Sequence, residues 1–161
     1  LAMPQYSRPT APAAQMFFTV SLQRPGDDVL VTQIEHLRQA VRLTRAERPF
    51  QIKAWVVLPD HLHTIWTLPA GDFDHATRWR LIKSRFTAAL PKRPLRLSQI
   101  NQQERGVWQR GYWAHSISNQ ADYDLHLRCC QMDPVRHGVA ERPEDWPYSS
   151  FAQAAALQLA G

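Results

Sequence analysis

Apolar and polar positions change their period along this chain, and each change marks an element. Met16 to Leu22 is a compact β-prone run closed by Pro25-Gly26, which reads as a first strand. Asp27 or Asp28 then caps a helix in which Val29, Ile34, Leu37 and Val41 recur at helical spacing to about Glu47, before Pro49. Residues 50–58 and 61–68 are apolar runs on either side of Pro59-Asp60, the pattern of a hairpin. After the loop Pro69-Ala70-Gly71, Asp72 is expected to cap a second helix whose apolar stripe is Trp79, Ile82, Phe86 and Leu90. Residues 91–107 read as a long basic loop. Val107 to Trp113 then alternates aromatic and basic residues, with Trp113 expected in the core, and leads into a fourth strand over 114–118. Asn119 opens a third helix that carries Tyr123, Leu125, Leu127, Cys130 and Met132 and ends at Pro134 and Gly138; Ala152 to Leu159 is expected to be helical.

The order is strand, helix, strand, strand, helix, strand, helix. Two β-α-β halves around an antiparallel sheet give an α+β class, a ferredoxin-like βαββαβ sandwich with added C-terminal helices. At 161 residues the chain suits one domain, 16–161, preceded by an extended arm over 1–15 that holds Pro4, Pro9 and Pro12. Hydrophobic residues make up 44% and charged residues 20%, a globular composition. No run is long enough to cross a bilayer, so no membrane partner is expected. Adjacent Cys129 and Cys130 are poorly placed to pair, which favours a reducing, cytoplasmic setting. A monomer is favoured.

Charge adds a partner to this picture. The net charge is +5 with a pI of about 9.7. Nine basic residues (Arg78, Arg80, Lys83, Arg85, Lys92, Arg93, Arg96, Arg105, Arg110) and one acid, Glu104, lie between positions 78 and 110. Such asymmetry suits either a phosphate-rich partner or a solvated helix face. Arg78, Arg80, Lys83 and Arg85 are the candidates for phosphate contact. Trp108 and Arg110, an aromatic beside a cation, are the candidates for base or backbone contact.

Candidate chemistry centres on His61-Leu62-His63. Side chains alternate along a strand, so the two imidazoles share a face, based roughly 6–7 Å apart, while Leu62 points the other way. Such a pair can chelate a metal, although a lone His-x-His also fits surface or core histidines. Asp133 can approach whatever site its helix face lines, or can simply precede Pro134 at a helix end.

Leu58-Pro59-Asp60-His61-Leu62-His63-Thr64-Ile65-Trp66 resembles the signature of the HUH single-tyrosine transposases, and most closely their REP-associated tyrosine transposase subgroup. The likeness continues through Arg78-Trp79-Arg80-Leu81-Ile82-Lys83, Gly106 to Arg110, Tyr112-Trp113-Ala114-His115, Asp133 to Gly138 and Asp145 to Phe151. The resemblance implies a protein that binds single-stranded or hairpin DNA and cuts it with magnesium or manganese, through a 5′-phosphotyrosine. It assigns His61, His63 and Asp133 to the metal. It also places Cys129 where the family carries its nucleophilic tyrosine, and Asp133 where the family usually has Asn or Gln. Strand transfer is therefore expected to be impaired. The alternatives are a non-catalytic DNA or RNA hairpin-binding protein and a metal-dependent nuclease that uses water.

Overall fold

A computed structural model describes residues 13–91 and 106–152. Most of the N-terminal arm with Arg8, the basic loop with Lys92, Arg93, Arg96 and Arg105, and nearly all of the expected C-terminal helix lie outside the described residues.

Four strands, β1 (Gln15–Ser21), β2 (Gln51–Val57), β3 (His61–Thr67) and β4 (Trp113–Ser116), form one sheet in the order β2-β3-β1-β4. Every neighbouring pair is antiparallel. Three long helices, α1 (Ile34–Glu47), α2 (His75–Ala89) and α3 (Gln120–Arg136), complete the α+β ferredoxin-like arrangement. A helical turn, Val29–Thr32, precedes α1, and a 3-10 turn, Pro143–Asp145, follows α3.

Strand alternation divides the apolar side chains between two cores. Phe18, Val20, Leu62 and Trp66 join Leu37 of α1 and Trp79, Ile82 and Phe86 of α2 on one face. Phe17, Ala54, Val56 and Ile65 meet Cys130 of α3 on the other. Phe18 is the hub of the first core, its ring 4.7 Å from Trp66, 5.5 Å from Trp79 and 5.7 Å from Tyr112. The sheet is therefore covered on both faces, and α3 alone among the three long helices lies on the histidine side.

The structure corrects several expectations. Asp74, not Asp72, caps α2 by accepting from the Thr77 N–H at 3.0 Å, because Asp72 is engaged by Arg78. Arg78 itself is 2% exposed, its guanidinium bonded to Asp72 and to the carbonyls of Arg48, Pro49 and Asp74. It ties α2 to the end of α1 and is not presented to a phosphate. Arg85 is also turned inward, donating to Thr44 at 2.9 Å and pairing with Glu47 of α1. Trp113 is 65% exposed, since it sits on the edge strand β4. Pro134 lies inside α3, which runs on to Arg136; its missing N–H removes one ladder bond, and only two helical residues follow it.

Because Phe18 is fully buried among aromatic rings, Phe18→Ala is expected to lower stability by about 3–5 kcal/mol, read as a lower midpoint in urea unfolding.

Candidate functional site

Leu62 anchors β3 in the first core, so His61 and His63 face α3. Each ring is held from behind. His61 Nδ1 lies 2.7 Å from Asp60 Oδ1, and Asp60 Oδ2 accepts the Gly26 N–H at 2.8 Å. His63 Nδ1 lies 2.7 Å from Thr19 Oγ1, and the ring stacks on Phe17 at 5.5 Å. With both Nδ1 atoms engaged, the Nε2 atoms are the ones presented to α3.

There they meet Asp133, whose side chain is 8% exposed. His61 Nε2 is 3.4 Å and His63 Nε2 3.0 Å from Asp133 Oδ2. That oxygen is buried yet accepts no well-formed hydrogen bond among the described residues. A buried oxygen in that state requires an explanation, and a cation shared with the two nitrogens supplies one. The three ligand atoms lie within 4.8 Å of one another, close enough to hold one ion. Two imidazoles and a carboxylate, themselves supported by Asp60 and Thr19, form a ligand set suited to a divalent metal with open positions.

The charges respond to this crowding. Burial opposes ionisation of Asp133, but the imidazoles of His61 and His63, aided by His137, hold it well below the usual carboxylate range. Burial disfavours the charged form of His61, but Asp133 and Asp60 together raise its pKa above the ordinary 6.5. Sequence reasoning placed His61, His63 and Asp133 together. It missed Thr19 and Phe17, gave Asp60 only a turn role, and assigned no ligand role to His137, whose Nε2 is 3.5 Å from Asp133 Oδ1.

A second group, His115, Asp122 and His126, sits nearer the start of α3. Asp122 Oδ2 lies 2.8 Å from His115 Nε2 and also accepts the Ser118 N–H at 2.8 Å. Asp122 Oδ1 is 3.0 Å from His126 Nδ1, and the two rings stack at 4.5 Å. Asn119 caps the same helix through the Asp122 N–H. His115 and Asp122 are joined by a hydrogen bond and Asp122 is paired with His126, so the group clamps α3 to β4, with His115 facing this helix.

On the other face of the sheet, α2 and the segment 108–112 enclose a cleft of about 510 Å³ lined by Arg80, Lys83, Trp108, Arg110 and Tyr112. Lys83 donates to the carbonyls of Gln109 at 3.1 Å and Gly111 at 2.7 Å, and lies over the Trp108 and Tyr112 rings. It pins the segment to α2 from inside the cleft. Arg80 and Arg110 are exposed at the cleft. Of the six predicted nucleic-acid contacts, four line this cleft, whereas Arg78 and Arg85 turn toward α1. The segment pairs with the end of β1, where Gln109 N–H donates to the Ser21 carbonyl at 3.0 Å, and Ser21 is the register partner of His61. The cleft and the histidine strand are thus linked through the end of β1, on opposite faces of the sheet.

No family model matches the chain. Two curated relatives do. One is a REP-associated tyrosine transposase of Escherichia coli K12, 40% identical over 149 residues, or 92% of this chain and 83% of that protein. The other, from Haemophilus influenzae, carries the same family name and is 37% identical over 151 residues, or 92% of this chain and 86% of that protein. Among solved structures, a REP-associated tyrosine transposase bound to a REP hairpin is 38% identical, with a TM-score of 0.76 over 92% of this chain and 82% of that one. A Deinococcus radiodurans structure at 12% identity and a TM-score of 0.51 covers 69% of this chain and 84% of its own, and shares the fold alone.

The shifts give opposite limbs to the metal-free protein. Stability from the lowered Asp133 pKa is present above the ordinary carboxylate value of 3.8 and is lost as pH falls through the lowered one. Stability from the raised His61 pKa is fully present below 6.5 and is lost as pH rises through the raised one. With chelator present, the urea midpoint should fall as pH rises past that point, and His61→Ala should flatten this alkaline limb.

Proposed function

We propose that this chain, which belongs to the REP-associated tyrosine transposase family, binds hairpin-forming single-stranded DNA and holds a phosphodiester at the His61–His63–Asp133 pocket, with strand transfer impaired. The observation that carries this reading is the convergence of the buried Asp133 Oδ2 with two imidazole nitrogens, at 3.4 and 3.0 Å. A divalent cation bound there supplies charge stabilisation and a template for an in-line displacement at phosphorus; magnesium or manganese is the family expectation. His61 and His63 would hold it through Nε2, with Asp60 and Thr19 fixing ring orientation.

The basic cleft supports the DNA half of the reading. Arg80 and Arg110 offer charge for phosphates, and the Trp108 ring offers a face beside them. A strand seated there would reach the histidines by passing over the end of the sheet, where residue 109 joins Ser21.

Impairment rests on position 129. Cys129 is a free, half-buried thiol one helical turn before Asp133, at the position the resemblance gives to the attacking tyrosine. A thiolate is a nucleophile, but a sulfur–phosphorus ester is a poor intermediate for returning DNA to a hydroxyl. Cys130 is no substitute: burial pushes its thiol well above the ordinary range and it packs in the second core.

The chain should bind a labelled REP-type hairpin in a salt-sensitive way, and Arg80→Ala or Arg110→Ala should each reduce the slope of log affinity against log salt by about one. With manganese it should leave no DNA–protein adduct on a denaturing gel, whereas Cys129→Tyr should produce one. An adduct on the unmodified chain would contradict the impairment, and free DNA ends without adduct would indicate a nuclease using water.

A further inference from the structure

We infer that His137 is a positioning residue for the cation pocket, its Nε2 paired at 3.5 Å with Asp133 Oδ1 so that Oδ2 stays turned toward His61 and His63. The inference rests on the metal reading above.

The two oxygens of Asp133 have different neighbours. Oδ2 faces His61 and His63, at 3.4 and 3.0 Å. Oδ1 faces His137, whose Nε2 lies 3.5 Å away from the next turn of the same helix. The His137 ring also packs edge-on against His61, centroids 4.9 Å apart at 67°, so it touches a second member of the pocket.

The helix end is built to leave this ring in place. The His137 N–H donates to the Asp133 carbonyl at 3.0 Å, closing the last turn directly onto the residue its side chain approaches. Gly138, at φ +71°, then turns the chain away, with its N–H on the Val135 carbonyl. The left-handed conformation favours glycine there.

A lone carboxylate on a helix can rotate about its terminal torsion and offer either oxygen. A partner on one oxygen removes that freedom, and such supporting contacts typically change metal affinity by about 10- to 100-fold. His137 is placed for that role rather than for ligation: it approaches the oxygen turned away from the other imidazoles, and the atoms that converge within 4.8 Å come from His61, His63 and Asp133. Its side chain is 50% exposed, so replacing it leaves the cores intact.

The test is calorimetric titration of manganese into the unmodified chain, His137→Ala, His137→Gln and His63→Ala at one pH, together with the visible spectrum of the cobalt forms. His137→Ala should bind one manganese at least about tenfold more weakly. His137→Gln, whose amide can donate to Oδ1, should recover most of the loss. Cobalt band positions should be unchanged in both variants, and both should still unfold cooperatively in chelator. Full affinity in His137→Ala, no recovery in His137→Gln, or shifted cobalt bands, which would make the ring a ligand, would each overturn the positioning role. Failure of the unmodified chain to bind manganese, or undiminished binding in His63→Ala, would instead overturn the metal reading beneath it.

Discussion

The register of β3 is the constraint on which the rest of this structure depends. β3 is an inner strand, paired with β2 on one side and β1 on the other, so its register is fixed twice. Leu62 and Trp66 enter the first core, and His61 and His63 are thereby carried to the face that α3 covers. A slip of one residue would bury imidazoles among Phe18, Trp79 and Phe86 and expose leucine to the pocket. Hydrophobic burial aims the histidines.

The helix opposite is organised with the same economy. Asp122, His126, Cys129, Asp133 and His137 recur every three or four residues, so they form one stripe along α3. Cys130, packed against Ala54, Val56 and Ile65, holds that stripe on the sheet. The early end of the stripe is closed by the hydrogen bond of His115 with Asp122 and the contacts of His126 with the Asp122 carboxylate and carbonyl, whereas the late end sets Asp133 Oδ2 between two nitrogens. The helix is thus anchored at one end and receptive at the other, with Cys129 between. Phe17 bridges the two groups, its ring 5.5 Å from His63 and 4.7 Å from His126.

Much of this was legible in the sequence, for identifiable reasons. A period of two placed His61 and His63 on one face, whereas helical spacing left Asp133 either lining a site or ending its helix, and only the resemblance assigned it to the same site. What escaped were effects of tertiary partners. The stripe of basic residues on α2 gave no sign that Arg78 and Arg85 would find carbonyls and acids on α1 and its exit. Asp72 and Asp74 both fit a cap, and only the competing guanidinium of Arg78 decided between them. Trp113 looked like core because it is aromatic, but its strand is the sheet edge. Asp60 read as a turn residue, and its second task as the partner of the His61 ring depends on the Gly26 turn meeting it in space.

Anomalous diffraction from a manganese-soaked crystal tests the proposed cation site directly. One peak is expected among His61 Nε2, His63 Nε2 and Asp133 Oδ2, at about 2.2 Å from each, a transition-metal ligand distance. A vacant pocket at saturating manganese, or a peak bound only by other residues, would contradict it.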